Sequence, residues 1–176
     1  TLAVSGIKNL NLAELGASWD DLELNGGDGY GFPELRHALA AKSGVEAGRI
    51  VLATGTSGAN HLVFATLLSP GDEVAMEHPV YEPMEMLARH LGATVRFFPR
   101  RPENGFRIDP ADVAAAVTPR TRLVVLSNLH NPSSMATDEA TLRAVGAIAE
   151  RAGARVVVDE AYLDAAFDRP PPSAGR

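Results

Sequence analysis

The stretch Arg155–Val158, which reads Arg-Val-Val-Val and is followed by Asp159, indicates the fold most directly. Three consecutive β-branched residues are typical of a strand that is covered on both faces, as in a parallel sheet. Arg122–Ser127, which reads Arg-Leu-Val-Val-Leu-Ser, has the same character. A helical pattern, with Thr137 as its predicted N-cap, connects the two runs and reaches Gly153. This order predicts a βαβ unit with parallel strands.

The same alternation extends toward the amino terminus. Further strands are predicted at Arg49–Ala53, Glu73–Met76 and Thr94–Phe98. Helices are predicted at Pro33–Ser43, at Ser57–Leu68, at Glu82–Leu91 and in a short segment capped by Asp109. We therefore expect an α/β fold, with three αβα layers around a mostly parallel sheet.

The chain length of 176 residues suits one domain. Residues 1–28 are irregular and are predicted to form an N-terminal arm, and residues 29–168 carry the alternation of strands and helices. Residues 169–176 are rich in proline, glycine and serine and are predicted to be a loop leading to a missing C-terminal part. From these ends we expect the chain to be a fragment of a longer protein.

Composition argues against several classes of function. The formal net charge is −6 and no basic stripe is present, so nucleic acid is not an expected partner. No apolar run is long enough to span a bilayer, and no signal peptide is recognisable. Cysteine is absent, which removes disulfides and thiolate metal sites and is consistent with a cytoplasmic location.

Small and hydroxyl residues follow the predicted strand that ends at Ala53. Gly55, Thr56 and Ser57 lie where this strand gives way to a helix. Backbone N–H groups at a helix start can bind a phosphate, and two hydroxyls could add hydrogen bonds. The alternative is a tight turn with Ser57 as N-cap, because the segment matches neither established phosphate-loop pattern.

A tyrosine follows the next predicted strand. Tyr81 lies in Glu77–Pro83, and its ring could stack on an aromatic ligand. The alternative is a partly buried tyrosine in a loop. His78 is interpreted as a loop histidine, because no second ligand at metal spacing accompanies it, and no metal site is expected.

Polar residues also follow the two strands quoted first. Asn131 can both donate and accept hydrogen bonds, and Pro132 stiffens the turn that carries it. His130 is interpreted as structural. Asp159 ends a buried strand, where a carboxylate is costly unless it is paired, and a cationic ring nitrogen is one partner that would fit. The alternatives are a polar Asx-turn loop at Asn131 and an ordinary strand-end acid at Asp159.

Taken in order, these motifs resemble pyridoxal-phosphate enzymes of fold type I, and most closely the class I/II aminotransferases. The resemblance runs from about Gly29 to Phe167. It rests on the segments Gly29–Arg36, Leu68–Val74, Asn128–Pro132 and Asp159–Tyr162. It implies the large domain of that fold, an enzyme that transfers an amino group between an amino acid and a 2-oxo acid, and a homodimer when the protein is complete.

The resemblance also implies a site for pyridoxal 5'-phosphate. The implied cofactor-binding residues are Gly55, Thr56, Ser57, Tyr81, Asn131, Asp159 and Tyr162. Of these, the first three would hold the phosphate and Tyr81 would stack on the pyridine ring. Asn131 and Tyr162 would bind the phenolic oxygen, and Asp159 would keep the ring nitrogen protonated. Gly6 and Asn131 are the implied substrate-binding residues.

Departures from the family pattern concern one loop and one missing residue. Leu129 replaces a proline, and Ser133 and Ser134 replace a Thr-Gly pair. The Schiff-base lysine of the family lies downstream of the motif at Asp159, whereas Lys8 and Lys42 both precede the site motifs. We therefore assign no catalytic residue and expect the 176-residue chain alone to be inactive.

Three alternative functions remain open. The same scaffold supports other pyridoxal-phosphate reactions of the lyase type. It also serves as a cofactor-binding sensor domain in transcription regulators, which carry an upstream winged helix that is not visible here. A nucleotide-binding α/β domain is the third alternative, although no recognised phosphate motif supports it.

Overall fold

Four parallel strands form the centre of the protein in the computed structural model, which describes residues 9–22, 29–166 and 173–175. The strands are β1 (Glu73–His78), β2 (Thr94–Pro99), β3 (Thr121–Ser127) and β4 (Arg155–Asp159). The helices are α1 (Pro33–Ser43), α2 (Gly55–Leu67), α3 (Glu82–His90), α4 (Pro110–Ala116) and α5 (Glu139–Arg151). Short 3₁₀ helices, such as Leu12–Leu15 and Trp19–Asp21, lie between and before them.

The strand order is β2-β1-β3-β4, so strands are added first on one side of β1 and then on its other side, beginning with β3. The chain moves from β1 through α3 to β2 on one side, and then through α4 to β3 on the other side. Such a reversal separates the loops that follow the two central strands and opens a crevice at their carboxyl ends. The topology therefore places a binding site next to the residues that follow β1 and β3.

The two faces of the sheet bury different side chains. Val74 and Met76 of β1 pack in a core with α2 and α3. Ala75, which points the opposite way, packs in a second core with residues of α4 and α5. Helices thus cover both faces, which confirms the predicted three-layer α/β fold.

Local sequence signals account for most helix ends. Pro33 occupies the first position of α1, and Gly44 follows its end with a φ of 70°. The Asp109 carboxylate accepts from the Ala111 amide of α4, as predicted. The predicted cap of α5 at Thr137 is wrong, because Asp138 accepts from the Thr141 amide. Of the helices in the described residues, none is long and apolar enough to cross a membrane.

The predicted strand at Arg49–Ala53 is also wrong. The segment begins in a 3₁₀ helix, Ala47–Arg49, and continues as an extended loop. The Leu52 amide donates to the Tyr30 carbonyl over 3.1 Å, and the Arg36 guanidinium donates to the carbonyls of Ala47 and Ile50. The apolar pattern identified an extended segment, but this segment joins no strand of the described sheet.

One burial prediction needs correction. Val156, Val157 and Val158 are half-buried, because β4 is an edge strand of the described sheet. The helix α2 buries Asn60 and Phe64, whereas Leu62 is 48% exposed. The burial of Asn60 is unexpected because its side chain is polar, and its hydrogen-bond partner lies in the candidate site.

Candidate active site

A cavity of about 370 Å³ lies at the carboxyl ends of β1, β3 and β4. Each residue that was predicted to bind the cofactor lines this cavity. Its lining consists of Thr54, Gly55, Thr56, Ser57, Tyr81, Ser127, Leu129, Asn131, Asp159, Ala161 and Tyr162. Segments that are far apart in sequence therefore meet around one space, at the crevice that the topology predicts.

The amino end of α2 forms one wall of the cavity. The helix begins at Gly55, whose φ is 69°, and its N-cap Thr54 makes no side-chain capping bond. The first N–H groups of a helix have no partner within the helix and carry a partial positive charge. Within the described residues, the hydroxyls of Thr56 and Ser57 also make no hydrogen bond, and Ser57 lies inside the first turn rather than at the cap. This wall can bind a dianion.

The carboxylate of Asp159 is fixed by two donors. The Asn60 side-chain amide donates to Oδ2 over 3.0 Å, and the Ala161 backbone amide donates to Oδ1 over 3.0 Å. Asn60 is 7% exposed and reaches Asp159 from α2. Sequence analysis missed this contact, for which the only signal was a lone amide on an apolar helix. The carboxylate is held in one orientation and can accept from a protonated nitrogen in the cavity.

Two tyrosines contribute aromatic surface to the lining. Tyr81 occupies the N-cap position of α3 and is 40% exposed, so its ring is accessible to a ligand. Tyr162 follows β4 and is half-buried. Among the described residues, neither phenolic oxygen makes a hydrogen bond to the protein.

The loop after β3 carries Asn131. Its backbone amide donates to Ser127 Oγ over 3.1 Å, and its side-chain amide bonds to no other described residue. Ser134 has a φ of 60°, a left-handed conformation that is uncommon for a residue with a Cβ. The Ser134 amide donates to the His130 carbonyl over 2.7 Å, which fixes that turn.

His130 is buried beside this loop with both ring nitrogens bonded. Nε2 lies 2.9 Å from the Pro79 carbonyl, which can only accept, so Nε2 carries the proton. Nδ1 then accepts from the Ser133 hydroxyl over 2.6 Å. Burial lowers the pKa of His130 to about 4, so the ring is neutral at physiological pH. These contacts account for the residue without a catalytic role.

A buried ion pair lies at the same end of the sheet. Glu77 and Arg100 are 0% and 2% exposed, and Arg100 Nε lies 2.7 Å from Glu77 Oε2. Burial raises the pKa of Glu77 to about 7, although Arg100 and the hydrogen bonds from Ser127 oppose the shift. Sequence analysis did not single out either residue. The available signal was that Glu77 and Arg100, which carry opposite charges, follow two successive predicted strands.

The remaining sequence assignments concern lysines, glycine and metals. Gly6 and Lys8 lie outside the described residues. Lys42 lies in the last turn of α1 and pairs with Asp164 at the surface. In the ranges that the structure describes, no cluster of three or more His, Asp or Glu side chains could hold a metal ion.

The fold and the cavity together define a protein of the fold type I aminotransferase kind. A solved structure described as a PLP-dependent aminotransferase from Streptococcus suis matches with a TM-score of 0.80 and 30% identity. The match covers 88% of this chain and 44% of that one.

The chain belongs to the aminotransferase class I and II family, whose family model matches residues 14–175. Enzymes of this family generally use pyridoxal 5'-phosphate. The arginine–pyruvate transaminase of Pseudomonas aeruginosa is 37% identical over 76% of this chain and 34% of its own length. Capreomycidine synthase of Streptomyces vinaceus is 36% identical over 97% of this chain and 46% of its own length. The chain thus spans less than half the length of these relatives.

Proposed function

We propose that this chain forms the cofactor-binding part of a pyridoxal-5'-phosphate-dependent aminotransferase, which transfers an amino group from an amino acid to a 2-oxo acid. One observation carries the proposal. The residues that the family motifs assign to the phosphate, the ring, the phenolic oxygen and the ring nitrogen all line a single cavity.

The lining residues fit the parts of this cofactor. The uncapped start of α2 and the hydroxyls of Thr56 and Ser57 would hold the phosphate. Tyr81 would lie against the pyridine ring, with a stacking contribution of about 0.5–1.5 kcal/mol beyond area burial. Asn131 and Tyr162 would bind the phenolic oxygen.

Asp159 would face the ring nitrogen and keep it protonated, because Asn60 and the Ala161 amide already fix its orientation. When bound, the cofactor supplies an electron-withdrawing ring that stabilises negative charge on the substrate carbon. Asp159 contributes by holding a proton at the far end of that ring. Asn131 would also contact the substrate.

A lysine amine is required to move the substrate proton in this chemistry. Lys42 is paired with Asp164 at the surface and is not among the residues that line the cavity. We therefore assign no catalytic lysine within the described residues and propose that these 176 residues alone do not catalyse transamination.

We further propose a homodimer for the complete protein, in a cytoplasmic location. Large apolar side chains are exposed along the amino-terminal segment. They are Leu10, Leu12, Leu15, Trp19 and Leu22, with exposures from 41% to 80%. Exposed apolar side chains that are concentrated in one segment are consistent with a protein interface.

The test is an absorbance measurement on the full-length protein, purified with and without added pyridoxal 5'-phosphate. We expect a yellow protein that absorbs near the visible edge. Incubation with an amino acid and a 2-oxo acid should yield the exchanged pair. A colourless protein that ignores the added cofactor would reject the proposal.

A second candidate is another reaction of an amino acid on the same scaffold. It is favoured by one relative, because the protein aligned over 97% of this chain is named a synthase and not a transaminase. Product analysis with arginine and several other amino acids distinguishes the two. A cyclised or eliminated product without a new amino acid from the 2-oxo acid would favour the second candidate.

A further inference from the structure

The buried pair of Glu77 and Arg100 is not needed to explain the fold. Replacing a buried ion pair with apolar residues of similar volume is often neutral or stabilising, so such a pair is weak support for stability. Arg100 and Glu77 lie at the carboxyl end of the sheet, next to the cavity, and not in the middle of either apolar core. Their position suggests a role at the site.

The glutamate reaches the site through Ser127. Glu77 Oε1 accepts from the Ser127 backbone amide over 2.7 Å and from the Ser127 hydroxyl over 2.6 Å. Ser127 itself lines the cavity. The carboxylate therefore fixes both the backbone and the hydroxyl of a lining residue.

The Ser127 hydroxyl in turn positions the backbone of Asn131. Ser127 has one hydroxyl proton, and it is donated to Glu77. A lone pair of the same oxygen then accepts from the Asn131 backbone amide over 3.1 Å. The orientation of Ser127 thus sets the place of the asparagine that the proposed function assigns to the phenolic oxygen.

The arginine holds the other end of the same loop. Arg100 Nη2 donates to the Ser127 carbonyl over 3.3 Å and to the Thr137 hydroxyl over 3.0 Å. The Thr137 amide in turn donates to the Asn128 side chain over 2.9 Å. Both ends of the loop, residues 127–137, are tied to one buried pair.

We propose that Glu77 and Arg100 are positioning residues, which act through Ser127 to hold Asn131 against the cofactor. This inference rests on the proposed function. It adds that the buried pair, through Ser127, determines how Asn131 is positioned relative to the phenolic oxygen. In its ionised form, which Arg100 favours, Glu77 is a stronger acceptor for the Ser127 hydroxyl than a neutral group would be.

The test compares variants of the full-length protein loaded with pyridoxal 5'-phosphate, with the pH midpoint of the cofactor's visible band as the readout. A donor to the phenolic oxygen stabilises its anionic form, so Asn131→Ala should raise the midpoint by about one pH unit. Ser127→Ala, which leaves the ion pair in place, and Glu77→Gln should each raise it by about half a unit.

A double variant separates positioning from general destabilisation. If Ser127 acts through Asn131, the combination of Ser127→Ala with Asn131→Ala shifts the midpoint no further than Asn131→Ala alone. Glu73→Gln is the matched control, because Glu73 is a second buried glutamate at the opposite end of β1, bonded to Thr118 and Arg120. It should lower the unfolding temperature without moving the midpoint.

Each result has one meaning. An unshifted midpoint in Ser127→Ala or in a folded Glu77→Gln, or additive shifts in the double variant, overturns the positioning role while leaving the proposed function intact. If Glu77→Gln does not fold, Ser127→Ala still tests the role, because it removes the hydroxyl through which Glu77 acts on Asn131. A wild-type protein that shows no cofactor band rejects the proposed function and this inference with it.

Discussion

At the scale of single residues, the carboxylate of Asp159 depends on a side chain from another element. Asn60 reaches it from α2, although the two residues are 99 positions apart in the sequence. This contact comes from packing, because the burial of Asn60 depends on how α2 lies against the sheet.

Loss of this carboxylate should weaken catalysis far more than loss of the amide beside it. In the full-length protein we expect Asp159→Ala to lower kcat/KM by about 10³-fold, because the protonated ring nitrogen loses its partner. Asn60→Ala should lower it about 10- to 100-fold, the value of one hydrogen bond to a charged group.

The matched control for Asn60 is Asn104→Ala. Asn104 is exposed, and among the described residues its side chain bonds only to the backbone of Arg107, in a turn after β2. Steady-state kinetics on the three variants should rank them in the stated order. Equal losses for Asn60→Ala and Asn104→Ala would contradict the role given to Asn60.

His130 leads to a prediction about stability and pH. Its pKa is lowered by burial to about 4 from the ordinary 6.5, so the folded state binds its proton less readily than the unfolded state. The stabilisation of the folded state by neutral His130 is therefore complete above pH 6.5 and is lost as the pH falls toward 4. We expect the free energy of unfolding to fall by about 2 kcal/mol over this window, and the His130→Gln variant should not show this fall.

Urea unfolding of both proteins between pH 4 and pH 8 measures this difference. The free energy of unfolding of the wild type should fall toward that of the variant as the medium becomes acidic. Curves that remain parallel over the whole range would show that His130 does not titrate as its contacts imply.

At the scale of elements, the alternation of apolar runs and helical patterns was sufficient for the sheet. Each predicted strand from Glu73 onward is present, and the structure extends the first of them by two residues, to His78. Arg49–Ala53 was predicted as a strand because an apolar composition indicates an extended backbone. Composition does not show whether a second strand lies alongside to pair with it, since that depends on tertiary contacts.

Helix ends show the same limit. Thr137 and Asp138 are both good capping residues, so the sequence could not separate them. The structure does, because the Thr137 hydroxyl bonds to Arg100, whereas the Asp138 side chain accepts from the Thr141 amide of α5. Sequence analysis had not singled out this buried arginine.

The start of α2 yields a prediction about phosphate binding. We expect Ser57→Ala to weaken the binding of pyridoxal 5'-phosphate by about tenfold or more, because one donor to the dianion is removed. Binding of pyridoxal, which has no phosphate, should be unchanged. Thr66→Ala on the same helix is the control, since the Thr66 hydroxyl donates to the Leu62 carbonyl on the exposed side.

Absorbance titration of the full-length protein with both ligands makes the comparison. An equal loss for the two ligands in Ser57→Ala would mean that the residue does not act on the phosphate, and the cofactor would have to be placed in the cavity with another orientation.

At the scale of the whole molecule, the exposed apolar side chains of residues 9–22 are the feature that the cavity does not explain. Trp19 is 80% exposed and Leu15 is 63% exposed. Replacing both with serine should shift a dimer toward monomer by about 2 kcal/mol or more in association free energy, because two buried anchors are lost.

Sedimentation of the full-length protein over a range of concentrations tests this prediction. Met86→Ser is the control, because Met86 is 56% exposed but stands on α3, away from the amino-terminal segment. A double variant that remains as dimeric as the wild type would place the interface elsewhere.

The claim on which the whole account depends is that one cofactor molecule touches α2, Tyr81, Asn131 and Asp159 at once. A crystal structure of the full-length protein with pyridoxal 5'-phosphate tests it most directly. We expect density for the phosphate at the amides of Gly55–Ser57 and the ring nitrogen about 3 Å from the Asp159 carboxylate. Density for the cofactor outside this cavity, or in it with the ring nitrogen turned away from Asp159, would contradict the account.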